Sequence, residues 1–161
     1  MDISFIGWIH TLIALIAILS GAYSLKKYTI IETKNFSAKM FIVTTIIAAI
    51  TALLIYKRGF GVGHLLAIIT LLAVIFGYIN ERGLFFGFLT PYFQTVSYSA
   101  LFLFHMIPGI TEILRRFPLD NPIVIDSNVD HPILISFYIT FFISYLIITT
   151  NQIIWLQKRG S

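Results

Sequence analysis

In this 161-residue chain, four histidines, His10, His64, His105 and His131, and one glutamate, Glu112, have the side-chain types and positions for chemistry among apolar surroundings. There is no cysteine, which excludes thiolate metal sites, iron–sulfur clusters and thiol catalysis. His10 and His64 each fall early in an apolar run. If both runs enter a bilayer from the same side, the two imidazoles sit at matched depth, as a b-type haem requires of its axial ligands. Gly59, Gly61 and Gly63 ahead of His64 permit close backbone approach. No strand precedes that glycine run, so it is not a dinucleotide fingerprint. A helix starting there places the positive end of its dipole near His64, which favours the neutral imidazole that ligation needs. His105 and Glu112, seven residues apart, share one side of a helix. Together with His10 and His64 they make an N3O donor set suited to iron or zinc, and the spacing does not choose between haem b and such a metal. A third chemistry is a quinone or lipid pocket, with His105 and Glu112 handling protons and the phenylalanines as walls. Pro108 predicts a kink beside His105.

Three of these residues also have a purely structural role open to them. His10 can serve as a helix-to-helix hydrogen-bonding group. Glu112 can pair with Arg116 four residues on, and His131, between Asp130 and Pro132, can mark a helix start. No Ser or Thr stands in a recognisable acid–base arrangement, which speaks against a hydrolase.

The elements that must position these residues follow from composition. Hydrophobic residues make up 58% of the chain, aromatic ones 16% and charged ones 11%, with a mean hydropathy of +0.90. A water-soluble globule of this size cannot hide so much apolar surface. Uninterrupted apolar stretches predict spans at roughly 3–23, 40–56, 60–79, 92–114 and 132–156. They lack the alternation of barrel strands, so the expected fold is all-α, one integral membrane bundle of about five transmembrane helices over 1–161. No repeat or composition shift marks a second domain.

With the N-terminus outside, the cytoplasmic segments hold seven cations, Lys26, Lys27, Lys34, Lys39, Arg82, Lys158 and Arg159, against four outside, Lys57, Arg58, Arg115 and Arg116. Asp2 before the first span and Lys26 and Lys27 after it reverse a signal peptide's charge order, so that span is expected to be retained. The C-terminus is then cytoplasmic, all four histidines fall in the outer half, and the 117–131 stretch, with Asp120, Asp126 and Asp130, is an acidic outer loop. Trp8, Tyr23, Tyr56, Tyr78, Tyr92 and Trp155 fall near span ends, as interfacial aromatics do. Thr44, Thr45, Ala48, Ala49, Thr51 and Ala52 give the second span small residues for close helix approach. The net charge of +4 resides at the ends of apolar runs, where it meets lipid headgroups, and does not point to nucleic acid.

The segment Gly59-Phe60-Gly61-Val62-Gly63-His64-Leu65-Leu66-Ala67, with Ile9-His10 and Gly21 in the first span, resembles the uncharacterised bacterial membrane proteins grouped as domain of unknown function 2306. That group shows a Gly-Phe-Gly-x-x-His-Leu-Leu-Ala pattern at a helix start. The resemblance covers about half of the chain. It implies that His10 and His64 are the shared polar pair and carries no established activity. The chain departs from the group's pattern at Asn35-Phe36-Ser37 and Pro91-Tyr92-Phe93, where the group has His-Arg segments.

Two functional readings result. The first is a multi-pass protein of the bacterial inner (cytoplasmic) membrane that binds haem b, or iron or zinc, through His10 and His64. It would transfer electrons with a quinone or a membrane redox partner if the cofactor is haem. The bundle also looks loosely like small membrane b-type cytochromes. The alternative is a cofactor-free assembly factor or small transporter, in which the His/Glu stripe is structural or couples to protons.

Overall fold

A computed structural model describes residues 5–55, 59–124 and 130–160. Asp2, Tyr56, Lys57, Arg58 and Asp126, used above for orientation, interfacial placement and loop charge, lie outside them. The described chain forms five α-helices and no strand: α1 (Phe5–Tyr28), α2 (Phe36–Leu54), α3 (Val62–Glu81), α4 (Thr90–Arg116) and α5 (Pro132–Gly160). All five are long and apolar enough to cross a membrane.

Helix boundaries differ from the apolar runs for local reasons. Because α1 continues through Lys26 and Lys27, its basic last turn complements the negative end of the helix dipole. It stops where Thr29 takes a left-handed conformation, φ 69°, and its N–H returns to the Leu25 carbonyl at 2.9 Å. Asn35 precedes α2 in extended conformation, so that helix begins before the apolar run does. Pro91 sits in the first turn of α4 and Pro132 opens α5, where a missing N–H costs nothing. Pro108 lies inside α4, which runs on past it to Arg116.

Sequential neighbours pack against each other, and a lighter α1–α4 contact closes the first four helices into a ring with α5 outside it on α4. Hydrogen bonds fix the directions. His10, early in α1, meets Ala48 and Thr51, late in α2, while Tyr98 of α4 reaches Glu81 at the end of α3. Ser99 of α4 reaches Gln152 near the end of α5. Neighbours are thus antiparallel, and α1, α3 and α5 run the same way.

The core comprises Ala17, Phe41, Ile42, Val74, Tyr98 and Leu101, with the Phe41 and Phe102 rings stacked at 4.8 Å. Two glycines are required by it. A Cβ on Gly21 would stand 2.5 Å from Phe102 Cζ, and one on Gly77 would run into the Tyr98 ring. Outward faces stay apolar: Leu19, Leu72, Ile139 and Ile147 are each more than half exposed. Hydrocarbon accepts such a surface without cost, and water does not.

The α1–α2 connection is tied down from three sides. Gln152 of α5 donates to the Thr29 carbonyl at 2.7 Å, Gln94 of α4 donates to the Ile31 carbonyl at 2.9 Å, and Glu81 of α3 accepts from the Thr33 N–H. These bonds satisfy loop backbone that Ile30 and Ile31 carry into the interior.

Candidate functional site

Tyr98, His105 and Glu112 occur every seven residues on α4, so two helical turns separate each from the next on one side of the helix. α2 supplies the partners. Thr45 and Ala48 are three residues apart, as are Ala48 and Thr51, so the three lie one above another, and their small side chains leave room for imidazoles.

His105 is buried, and its Nε2 is hydrogen-bonded to Thr45 Oγ1 at 3.0 Å. One turn along α2, His10 Nδ1 lies 3.0 Å from the Ala48 carbonyl and 3.1 Å from Thr51 Oγ1. A carbonyl only accepts, so the proton is on Nδ1 and the Nε2 lone pair of His10 is its basic site. The Thr51 hydroxyl spends its own proton on the Ile47 and Ala48 carbonyls, both at 2.9 Å, which leaves its lone pair for His10. His10 lies within electrostatic reach of both His105 and Glu112. Glu112 is itself paired with Arg116 at 2.6 Å and exposed at the end of the bundle. The structure therefore brings His10, His105 and Glu112 into one neighbourhood.

His64 is placed differently. At the third residue of α3, its Nδ1 accepts the Gly61 N–H at 3.2 Å and its ring stacks on Phe60 at 5.3 Å. This is the returning half of a capping box, made by a histidine where Glu or Gln usually stands. With Nδ1 accepting, the neutral ring carries its proton on Nε2, the nitrogen that would have to be bare to bind iron. α1 and α3 are also diagonal in the ring, without a packed interface. His10 and His64 share one end of the bundle, on helices that are not packed neighbours. Among the described residues, no group of three or more His, Asp or Glu is positioned to hold a metal ion, and the N3O set of His10, His64, His105 and Glu112 is not assembled. His131 accepts the Ile133 N–H at 3.3 Å and caps the start of α5.

Sequence reasoning missed the other half of the stripe. Tyr98 is fully buried and donates its hydroxyl to Glu81 Oε2 at 2.9 Å, near the end of the bundle opposite the histidines. The seven-residue step back from His105 was the available signal, and Glu81 at the close of an apolar run gave none. Between Tyr98 and His105 along α4 lies an apolar layer, in which Leu101 is fully buried and Phe102 stacks on Phe41.

No known protein family, curated protein or solved structure matches this chain. The resemblance carried by Gly59–Ala67, with Ile9-His10 and Gly21, rests on those residues.

Proposed function

We propose that this is a multi-pass protein of the bacterial inner membrane, N-terminus outside, in which the His10, His105 and Glu112 group exchanges protons in the service of a small proton-coupled transporter. The observation that carries the reading is a buried His105 on the same side of α4 as Tyr98 and Glu112, with His10 within its electrostatic reach. Burying ionisable groups in a membrane helix is expensive and is ordinarily tolerated for function. Imidazole can accept a proton on one nitrogen and release one from the other, and His10 presents its Nε2 lone pair while Nδ1–H is held. Exposed Glu112 gives the group access to water at one end, and Glu81 with Tyr98 gives polar access at the other. The apolar layer at Leu101 and Phe102 stands between the two, as a barrier against continuous leak requires.

The test is proton flux into liposomes that contain the purified protein and an internal pH dye, driven by a potassium diffusion potential. Flux that falls about a hundred-fold in His105→Phe and less in Glu112→Gln supports the reading, on the scale of a positioned acid–base group. Equal flux in wild type and His105→Phe refutes it.

The haem reading has one observation in its favour: the Nδ1–H of His10 is held by a carbonyl, as in ligating histidines. Oxidised and dithionite-reduced spectra of the purified protein, with metal analysis, decide it. A reduced α-band lost in His10→Ala and His64→Ala would make the protein a cytochrome.

A further inference from the structure

At the end of the bundle opposite the histidines, the last turns of α1 and α5 flank a cleft. Leu25, Ile148 and Trp155 form the apolar side of an open cleft of about 470 Å³, and Thr29, Asn151 and Gln152 form its polar side. It joins, through Thr29 and Trp155, a polar mouth of about 320 Å³ bearing Lys27, Lys34, Glu32 and Arg159. Lys34 is bound to Glu32 at 2.9 Å, and among the described residues Lys27 and Arg159 are the cations of the mouth with no carboxylate ion pair. Both are held over aromatic rings: Arg159 lies 4.4 Å from the Trp155 ring, and Lys27 lies 5.6 and 5.3 Å from the rings of Tyr23 and Tyr28. Lys27 also donates to the Tyr23 hydroxyl at 3.4 Å, and such stacking holds a charge near the rings while its remaining donors face the mouth.

We infer that this cleft is a binding site for an anionic glycerophospholipid. An acyl chain would lie against Leu25, Ile148 and Trp155, and the phosphate would face Lys27 and Arg159. The inference rests on the reading of the chain as membrane-spanning. An open, largely apolar cleft beside two ring-held cations at helix ends, where a bilayer passes from hydrocarbon to headgroup, complements a molecule that is greasy at one end and anionic at the other. A zwitterionic lipid would satisfy the cleft's apolar side and bring its own cation against Lys27 and Arg159.

Trp155 reports occupancy directly, because Trp8 is the only other tryptophan. The Trp8→Phe protein is reconstituted in mixed vesicles of phosphatidylglycerol and phosphatidylcholine, with one or the other brominated on its chains, and quenching is referred to unbrominated vesicles. The expected result is stronger quenching of Trp155 by brominated phosphatidylglycerol at equal fraction. Each cation should supply a roughly five-fold preference at low salt, lost when Lys27→Gln and Arg159→Gln are combined. Soluble glycerol phosphate should not relieve the quenching. If it does, a free phosphate ester is the ligand and the lipid assignment falls. Equal quenching by both lipids, or a preference that survives the double substitution, leaves only annular lipid and overturns the site. The reciprocal Trp155→Phe protein separates the remaining cases. Trp8 quenched while Trp155 is not would place something other than lipid in the cleft and overturn the proposal. Neither tryptophan quenched would overturn membrane insertion as well.

Discussion

At the scale of single residues, the hydrogen-bond partner decides what each imidazole can do. His105 has Thr45 across the α2–α4 boundary, and Thr45 is fully buried. Thr45→Val keeps the shape and removes the hydroxyl, so His105 loses that partner. The expected loss of stability is about 1–3 kcal/mol, the penalty for an unsatisfied buried polar group, read as a lower unfolding midpoint in detergent. Thr51→Val should cost less, because the Ala48 carbonyl still holds the Nδ1–H of His10. An unchanged midpoint in Thr45→Val would mean that the His105 bond contributes nothing.

At the scale of elements, close approach and clamping set the ring. Gly77 lets α3 come against Tyr98 of α4, so Gly77→Ala should push the two helices apart and destabilise by about 1–3 kcal/mol, as overpacking does. Gly109, on α4, has nothing near its absent Cβ, and Gly109→Ala should instead stabilise by about 1 kcal/mol through helix propensity. The opposite signs, measured in one unfolding series, test the packing rather than glycine content. The clamp on the α1–α2 connection predicts a local effect. Gln152→Leu removes the bonds to the Thr29 carbonyl and from the Ser99 hydroxyl, and amide hydrogen exchange around Thr29 to Thr33 should rise while α3 stays protected. A uniform rise along the chain would show that the connection has no independent stability.

For the whole molecule, charge and hydropathy predict a sidedness that labelling can read. The chain has no cysteine, so single-cysteine variants need no background changes. In intact cells with the outer membrane permeabilised, Leu119→Cys, in the α4–α5 connection, should react with a membrane-impermeant maleimide, and Lys34→Cys, in the α1–α2 connection, should not. The reverse pattern would invert the topology and place the histidines in the cytoplasmic half. Neither result alters the internal geometry, because all four histidines belong to the same end of the bundle by helix direction alone.

Period and composition made the five helices legible, because an unbroken apolar run of bilayer length has one satisfactory backbone solution in hydrocarbon. Several boundaries moved outward, as at α1 through Lys27 and α2 from Phe36, because hydropathy falls before helical hydrogen bonding does, whereas α2 ends at Leu54 and α3 starts at Val62, inside the apolar runs. The His105 and Glu112 spacing was equally legible, since a seven-residue step on one helix is local information. Tertiary structure alone decided which helices are neighbours. It set His10 against α2 and turned the Nδ1 of His64 back onto its own helix start. It also joined Glu81 to Tyr98. Depth along a helix is written in the sequence, but direction around the bundle depends on how small residues such as Gly21, Ala48 and Gly77 let particular faces meet, and that is a property of pairs of helices.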